Sequence, residues 1–481
     1  MMNPPLPLSH NAPTPALLSR LEELLGPKGF TRDADAMRPW LTDWRGKYHG
    51  AAAAMLSPAN TEQVAAVVRL ASAADTALVP QGGNSGMVGG ATPDSSGHQL
   101  LLSLRRMNAI RALDTAAQSV VAEAGVILQT LHESVAVQGL RFPLTLGGKG
   151  SATVGGLVST NAGGTQVLRH GTMRALVEGV EAVLPDGSVF GGLAALKKDN
   201  RGYDLKHLLC GAEGTLGIVT AARLRLVPAI VQRITAWAAT PSPTTALALL
   251  RHLQTGFGAE LEGFELIPQS CVDAVLAHIP GTRAPLLRQS GWHVLIEVAA
   301  DDADAADALV TLATEAQAHG LLTDLVLAKS ESEAEAWWRI RDAISEAERA
   351  AGPAIQHDVS VPVAAMPQFI ADSPARLAAA FPGARVISFG HLGDGNVHHH
   401  VQPPRHVDGA AWITANGEAV SRQVYSHAIE LGGSLSAEHG IGQMKRALLA
   451  ELSDPARIAM LRGVKRGLDP AGIFNPGKLV P

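Results

Sequence analysis

Five of the eighteen histidines of this chain fall in the stretch 391–406, which overlaps the segment SFGHLGDGNVHHHV. Asp394-Gly395 is among the strongest two-residue hairpin turns, because both positions accept a positive φ. The segment therefore predicts a β-hairpin in which His391 faces His398 directly across the two strands. Opposed imidazoles on a rigid ribbon are suited to bind Zn²⁺ or a similar divalent ion through neutral nitrogens.

Side chains alternate along a strand, so His400 is expected on the face of His398 and His399 on the other face. Three polar residues on a solvated edge strand are the alternative. Glu438, next to His439 in the turn SLSAEHGIG, offers a third ligand of another type. Two histidines and one carboxylate leave metal positions open, as a catalytic site requires. Taken alone, Glu438 is more typical of a carboxylate at a helix start.

Arg341 and Ser345 lie in a long helical pattern that spans residues 333–351. Their i, i+4 spacing places them on one helix face. An arginine with a hydroxyl beside it fits recognition of a substrate carboxylate. Without further context, a surface salt bridge is the commoner role of such an arginine.

Two glycine-rich stretches predict loops that approach a ligand closely. Residues 81–90 contain five glycines and residues 147–164 contain seven. Consecutive backbone amides in such loops form concave nests that hold phosphate, although each stretch alone is also typical of a structural loop. Neither a G-x-G-x-x-G after a strand nor a G-x-x-x-x-G-K-[ST] occurs, which disfavours Rossmann and P-loop nucleotide sites. A third cluster, CGAEGTLGI, spans residues 210–218.

These residues must be positioned by two or more domains, because 481 residues exceed what one hydrophobic core usually serves. The 46% hydrophobic and 17% charged content is typical of a globular protein. From about Ala229 glycine thins out and helical patterns alternate with strand patterns. This change predicts an α+β module with an antiparallel sheet and helices on one face.

Composition also excludes several classes of protein. A net charge of −5 without a long basic stripe gives no nucleic-acid signal. The two cysteines, Cys210 and Cys271, exclude a disulfide framework and favour a reducing compartment. The Pro-rich start, residues 1–15, lacks the apolar core of a signal peptide, and no run of eighteen apolar residues predicts a membrane span.

Six motifs, taken together and in this order, resemble a known flavoprotein family. The motifs are PQGGNSGMVGG, VGGLVSTNAGG, CGAEGTLGI, GHLGDGNVHHHV, SAEHGIG and DPAGIFNPGK. The family is the vanillyl-alcohol-oxidase type with a PCMH-type FAD domain, in its branch of D-2-hydroxyglutarate and FAD-linked D-lactate dehydrogenases. The resemblance runs from about Leu56 to the C-terminus.

The resemblance implies an α+β fold. A PCMH-type FAD-binding domain of two subdomains is expected over residues 51–228, preceded by a helical lead-in over 1–50. A substrate (cap) domain with an antiparallel sheet is expected over 229–440, and a C-terminal segment, 441–481, is expected to return to the FAD domain.

The resemblance also implies non-covalent FAD, because Asn84 stands in the region where covalent relatives place a histidine. The residues implied to hold FAD are Pro80, Gln81, Gly82, Gly83, Asn84, Ser85, Gly86, Gly89, Gly90, Pro143, Gly147, Gly150, Ser151, Thr153, Gly155, Gly156, Asn161, Ala162, Gly163, Gly164, Glu213, Gly214, Gly217, Ile218 and Asn475.

By the same resemblance, the metal, most simply zinc, is bound by His391, His398 and Glu438, and His439 is the catalytic base. Arg341 and Ser345 then bind the carboxylate of a D-2-hydroxy acid, which is oxidised to the 2-oxo acid. Electron-transfer flavoprotein, a quinone or a cytochrome is the expected acceptor. A cytoplasmic location is expected. Peripheral association with the inner membrane and formation of a homodimer are left open.

Two departures from the family pattern bear on the substrate. Gln356 stands where D-2-hydroxyglutarate dehydrogenases usually carry a lysine, and His400 replaces a residue that is often asparagine. The extra imidazole of His400 binds the metal or touches the substrate. The lack of the lysine keeps a D-lactate or glycolate dehydrogenase as an alternative, beside a non-catalytic protein that binds FAD and metal on the same fold.

Overall fold

The computed structural model describes residues 10–287, 290–300, 302 and 304–481. These residues form two compact units. The first unit comprises the described residues up to Gly164, His170–Ala229 and Glu438–Pro481, and the second comprises Thr165–Arg169 and Ile230–Ala437. The two free cysteines, Cys210 and Cys271, are both buried.

Up to Pro228 the elements are α1 (Pro15–Leu25), β1 (Phe30–Thr31), α2 (Ala34–Met37), β2 (Ala54–Leu56), α3 (Thr61–Ala73), β3 (Leu78–Gln81), β4 (Leu100–Ser103), β5 (Ile110–Asp114), β6 (Ser119–Glu123), α4 (Leu128–Ala136), β7 (Leu140–Arg141), α5 (Val154–Thr160), α6 (Val167–His170), α7 (Met173–Leu176), β8 (Val177–Val183), β9 (Val189–Gly192), α8 (Leu205–Leu209), β10 (Ile218–Arg225) and β11 (Val227–Pro228). A 3-10 turn, Arg38–Trp40, follows α2.

The first unit contains two larger sheets. One has the order β1-β2-β4-β3 and its last three strands run parallel, while the other has the order β5-β6-β10-β8-β9 and is antiparallel. Every residue of β2 and β4 is buried. Parallel strands covered on both faces read as continuous apolar runs, which is why Ala54–Leu56 and Leu100–Ser103 show no alternation.

From Gln232 to Glu430 the elements are β12 (Gln232–Thr240), α9 (Pro243–Phe257), β13 (Leu261–Pro268), α10 (Gln269–His278), β14 (Trp292–Ala300), α11 (Ala305–Ala318), β15 (Asp324–Leu327), α12 (Glu331–Asp342), α13 (Ile344–Ala351), β16 (Ile355–Ser360), α14 (Met366–Ala380), β17 (Arg385–His391), β18 (Asn396–Gln402) and α15 (Gly409–Glu430), with 3-10 turns at Gly258–Glu260 and Val363–Ala365. The strands among these elements form one antiparallel sheet of order β15-β12-β14-β13-β17-β18-β16.

Helices cover both faces of this sheet, so the expectation of helices on one face was wrong. On one face Trp237 and Phe389 join an apolar cluster with residues of α10, α12 and α13. On the other face, Phe369 of α14 contacts the ring of His399, and Tyr425 of α15 contacts the ring of His357. The expected α+β class with an antiparallel sheet is confirmed.

The predicted hairpin forms, but its turn and pairing differ from the prediction. His398 pairs with Phe389 rather than with His391. The connection is a four-residue loop, 392–395, in which the amides of Asp394 and Gly395 donate to the carbonyl of His391. The register is shifted by two residues, and an even shift leaves every side chain on the predicted face.

The C-terminal segment contains α16 (Arg446–Leu452) and α17 (Pro455–Leu468) and then returns to the first sheet. Phe474 forms an isolated bridge with Leu78 of β3, and the Asn475 amide donates to the Leu78 carbonyl over 2.8 Å. The buried ammonium of Lys465 donates to the carbonyl of Phe474 over 2.9 Å and to Asp469. The expected return of the tail to the first unit is confirmed.

Candidate functional site

Two of the predicted histidine ligands meet on one face of the second unit's sheet. The ring centroids of His391 and His398 lie 5.5 Å apart. Nη2 of Arg341 lies 3.0 Å from Nε2 of His391 and 3.4 Å from Nε2 of His398. A guanidinium group only donates, and the Nε2 of a neutral imidazole at either position can accept from this one cationic nitrogen. The point on which they converge therefore suits a cation.

Glu265, which the sequence did not single out, holds this arrangement. It stands opposite His391 in the pairing of β13 with β17. Its Oε1 accepts from Nδ1 of His391, and its Oε2 accepts from Nε of Arg341 over 2.8 Å. A carboxylate on the distal ring nitrogen is the usual way to orient a metal-binding histidine. Burial alone would raise the pKa of Glu265, but Arg341 and His391 outweigh it and lower the pKa to about 2.

His398 carries no charge at neutral pH. Burial, and next the positive charge of Arg341, hold its pKa well below the ordinary value of 6.5. A histidine binds metal through a neutral nitrogen, so this environment is compatible with the predicted role of His398 as a ligand. The opposed Phe389 contacts its ring at a centroid distance of 5.1 Å.

A second carboxylate–imidazole pair lies two residues farther along β18. Nδ1 of His400 is hydrogen bonded to Oε2 of Glu348, which α13 provides. The side chains are both buried, at 5% and 3% exposure. His399 points to the other face, as predicted, where its Nδ1 lies 2.9 Å from Oγ of Ser388.

The helical pattern over 333–351 forms two helices, α12 and α13, that break at Ala343. Arg341 therefore lies at the end of one helix, and the half-buried Ser345 at the start of the next. Arg341 contacts Glu265 and the two histidines, so it does not form the surface salt bridge that was the alternative from sequence. Its role toward a substrate carboxylate stays a prediction.

Glu438 and His439 begin the last segment of the first unit. Just before them, Ser434 forms an isolated bridge with Ser360 of β16 in the second unit's sheet. The roles of Glu438 and His439 as ligand and base stay predictions.

Glu213 holds the turn that follows His439. Its Oε1 accepts from the amide of Ile441 over 2.7 Å, and its Oε2 accepts from the amide of Gly442 over 2.8 Å. Burial raises the pKa of this carboxyl group, while the two amides act in the opposite direction. Asn475 adds two further hydrogen bonds, since its Nδ2 donates to the carbonyls of Glu213 and Gly90 over 2.7 and 2.9 Å.

The two glycine-rich loops lie directly against each other in the first unit. A Cβ added at Gly83 would meet the carbonyl oxygen of Ser151 at 1.7 Å, and one at Gly82 would meet Oγ1 of Thr153 at 2.3 Å. Only glycine permits this approach. By contrast, a Cβ at Gly147 would meet nothing within 4 Å, so part of the cradle faces open space.

Buried polar atoms in and beside these loops lack a hydrogen-bond partner among the described residues. They are Oε1 of Gln81, Oγ1 of Thr153 and Oδ1 of Asn475. A buried polar atom without a partner costs free energy of order 1–3 kcal/mol, so these atoms favour a polar ligand that satisfies them. The amide oxygens of Gln81 and Asn475 accept hydrogen bonds, and the hydroxyl of Thr153 can also donate one. This set therefore fits a ligand with its own N–H and O–H groups, such as a dinucleotide cofactor.

Two asparagines of the predicted set shape the loops. Asn84 adopts a φ of 53°, and its Nδ2 donates to the carbonyl of Thr42 over 2.8 Å. Asn161 ends α5 at a φ of 49°, and its Oδ1 accepts from the amide of Arg174 over 2.9 Å. Asparagine tolerates this left-handed conformation better than most residues do.

The Gly83→Ala variant is expected to purify with most of its flavin lost, because the added methyl group forces the two loops apart. The ratio of flavin to protein absorbance in the purified variant measures this loss. Gly463→Ala in α17 is the matched control, since a Cβ there would meet nothing within 4 Å. Full flavin content in Gly83→Ala would contradict the assigned cradle.

Comparison with known proteins decides the family. Residues 52–191 match a family model described as FAD binding domain, and residues 231–479 match FAD linked oxidases, C-terminal domain. A mitochondrial D-2-hydroxyglutarate dehydrogenase of Arabidopsis thaliana is 36% identical over 96% of this chain and 81% of its own length. The chain belongs to the FAD-linked oxidase family. It is an FAD-dependent oxidoreductase.

The likeness extends to bacterial members of this FAD-linked oxidase family and to solved structures. A D-2-hydroxyglutarate dehydrogenase of Xanthomonas citri pv. viticola is 36% identical, with 97% of each chain covered. A p-cresol methylhydroxylase structure matches with a TM-score of 0.75 and 15% identity over 96% of each chain, which shows the shared fold. Within the described residues of this family member, no helix is long and apolar enough to cross a membrane.

Sequence reasoning missed two carboxylates of this FAD-linked oxidase, Glu265 and Glu348. Glu265 interrupts the apolar run of β13, and Glu348 lies three positions after Ser345 on the same face of α13. A charge inside an apolar strand, or on the same helix face as candidate site residues, was the signal that would have found them.

Proposed function

We propose that this flavoprotein is a divalent-metal-dependent dehydrogenase that oxidises a D-2-hydroxy acid to the 2-oxo acid and passes the electrons to an acceptor other than NAD. The convergence of the His391 and His398 ring nitrogens on one cationic point carries the metal assignment. The names of the relatives from Arabidopsis thaliana and Xanthomonas citri supply the substrate class.

In this proposal His391, His398 and Glu438 hold the metal, most simply zinc. Two imidazoles and one carboxylate are a usual ligand set for a catalytic zinc with an open position. Gln81–Gly90, Gly147–Gly164 and Asn475 hold FAD without a covalent bond. When bound, FAD supplies a hydride acceptor, and the metal supplies Lewis-acid polarisation of the substrate hydroxyl.

The chain's own residues bind the substrate and move its proton. Arg341, at the end of α12, and Ser345, at the start of α13, orient the C1 carboxylate through hydrogen bonds. His439 removes the hydroxyl proton, a role for which imidazole is suited near neutral pH. Glu213 positions the backbone that follows His439. Loss of this proton and of a hydride from C2 converts the alcohol to the ketone, which is a two-electron oxidation.

Electron-transfer flavoprotein, a quinone or a cytochrome is the proposed class of acceptor, and the cytoplasm remains the proposed location. A D-lactate or glycolate dehydrogenase is the second candidate. The uncharged Gln356 favours it, because this residue faces His400 in the sheet and adds no positive charge for a second carboxylate.

Removal of the metal tests the proposed function directly. The purified protein is expected to be yellow, and its flavin is expected to bleach under anaerobic conditions with D-2-hydroxy acids. Chelation, with metal loss verified by elemental analysis, is expected to abolish bleaching while flavin absorbance persists, and added Zn²⁺ restores it. Full bleaching after verified metal removal would exclude the metal from catalysis. If none of the tested D-2-hydroxy acids bleaches the flavin, the proposed substrate class is excluded.

A further inference from the structure

A short segment packs against the hairpin that carries the two predicted histidine ligands. Residues Thr165–Arg169 follow the second glycine-rich stretch in sequence, yet they belong to the second unit, as the hairpin does. Leu168 of this segment is in close contact with Gly393, in the loop that joins the strands of His391 and His398. The proposed chemistry gives this segment no role.

The contact with Leu168 leaves no space for a side chain at position 393. A Cβ added at Gly393 would lie 2.8 and 3.0 Å from the two Cδ atoms of Leu168 and 3.2 Å from its Cγ. Rotation about the Cβ–Cγ bond of Leu168 would move only the Cδ atoms, so it would not clear the position. Gly393 does not adopt a positive φ, so this contact, rather than the backbone conformation, calls for glycine.

Arg169 fixes the backbone next to Leu168 on the sheet of the second unit. Its Nη1 donates to Oε2 of Glu262 in β13 over 3.2 Å and to the carbonyl of Ala299 in β14 over 2.8 Å. The side chain of Glu262 is 1% exposed and that of Arg169 is 22% exposed, so water and salt screen this ion pair little. The segment is therefore held in place, and Leu168 stays against the hairpin loop.

Hydrogen bonds hold the two ends of the hairpin loop. The amide of Leu392 donates to the carbonyl of Phe264 in β13 over 3.1 Å, and the carbonyl of Gly395 accepts from the amide of Val361 over 3.0 Å. The middle of the loop packs on Leu168. Close packing responds to a volume change of even one methyl group, so Leu168 sets the position of this part of the loop.

We propose that Leu168, held in place by Arg169, is a positioning residue for the metal site, because it fixes the loop that joins the strands of His391 and His398. This inference rests on the proposed function, since it takes the two histidines as metal ligands. Zinc binds imidazole nitrogen at about 2.0–2.1 Å, and a ligand displaced by about 0.5 Å binds it poorly. Neither Leu168 nor Arg169 supplies an atom to the metal in this role.

A double-mutant cycle in the holoenzyme tests the contact. After chelation, the affinity for Zn²⁺ is measured by isothermal titration calorimetry, and flavin absorbance and melting temperature are recorded for each variant. Gly393→Ala is expected to lower the zinc affinity at least about tenfold, because its methyl group displaces the loop. In the Leu168→Ala background the same substitution is expected to cost less than about twofold, because the space is then free.

Leu168→Ala alone is expected to lower the zinc affinity by about threefold or more, because the loop loses its support. Flavin content and melting temperature are expected to change little, which distinguishes a positioning role from a role in folding alone. Gly291→Ala, in the same unit, is the matched control, because a Cβ there would meet nothing within 4 Å. It is expected to keep the wild-type zinc affinity.

Wild-type zinc affinity in Leu168→Ala, or equal losses from Gly393→Ala in both backgrounds, would overturn the inference and leave the metal site standing. If Gly393→Ala does not fold, recovery of a folded, zinc-binding protein by the added Leu168→Ala supports the inference, and lack of recovery overturns it. A wild-type holoenzyme that binds no Zn²⁺ would instead overturn the metal site of the proposed function, and this inference with it.

Discussion

The His398→Ala variant is expected to purify with a full complement of flavin and to lose hydroxy-acid-dependent flavin bleaching by more than about a hundredfold. His398 belongs to β18 of the second unit, whereas the glycine-rich loops belong to the first unit. Removal of a neutral imidazole that faces the cationic point takes away a proposed metal ligand and leaves the flavin cradle intact. Stopped-flow absorbance with a D-2-hydroxy acid measures the loss, and elemental analysis measures the metal content.

His406→Ala is the control for this experiment. His406 follows the same hairpin but is exposed, and its substitution is expected to change neither metal content nor bleaching. Loss of flavin together with activity in His398→Ala would mean that the histidine supports folding rather than metal binding. Normal bleaching in His398→Ala would remove it from the active site.

The faces of the histidine hairpin could be predicted from sequence, but its pairing could not. Alternation along a strand depends only on backbone geometry, so the placement of His398 and His400 on one face and His399 on the other followed directly. The register depends on the loop. Here Gly390 adopts a φ of 147° and the connection spans 392–395 rather than Asp394-Gly395 alone. Local turn preference does not decide between these loops, since the flanking strands contribute too.

The hydrogen bonds from Glu265 and Glu348 to the imidazoles could not be predicted from sequence for a different reason. Glu265 and His391 are 126 residues apart in the chain, and their contact exists only because β13 lies beside β17. Glu348 reaches His400 across 52 residues. Composition can mark a glycine-rich loop or a histidine cluster, but a hydrogen bond between distant elements depends on the order of strands in the sheet. Single-sequence patterns do not give that order.

The same limit applies to the cofactor cradle. Glycine density in 81–90 and 147–164 predicted two ligand loops, and family membership confirms an FAD-binding domain over 52–191. A Cβ at Gly83 would lie 1.7 Å from the carbonyl oxygen of Ser151, and Asn475 donates a hydrogen bond to the carbonyl of Gly90. Both contacts depend on the tertiary structure. Which glycines are indispensable therefore follows from the structure, and Gly83 is the sharpest case.

The Arg341→Ala variant is expected to lose both activity and stability. Arg341 donates to Glu265 and lies beside both histidines, so its removal leaves the buried Glu265 carboxylate without one of its two side-chain partners and without its guanidinium counter-charge. Breaking a buried ion pair on one side costs about 3–5 kcal/mol of folding free energy. Bleaching is expected to be absent, because the proposed contact to the substrate carboxylate is removed as well. Urea unfolding and stopped-flow absorbance measure the two losses.

A second substitution separates these two effects of Arg341. Glu265→Gln in the Arg341→Ala background removes the uncompensated charge, so it is expected to recover most of the lost stability, because loss of both partners is tolerated better than loss of one. Activity is expected to stay absent, since the guanidinium group is still missing and the carboxylate that orients His391 has now been removed. Recovery of bleaching along with stability would show that Arg341 acts only by holding Glu265. Failure of the double variant to regain stability would show that the guanidinium group contributes through contacts other than this ion pair.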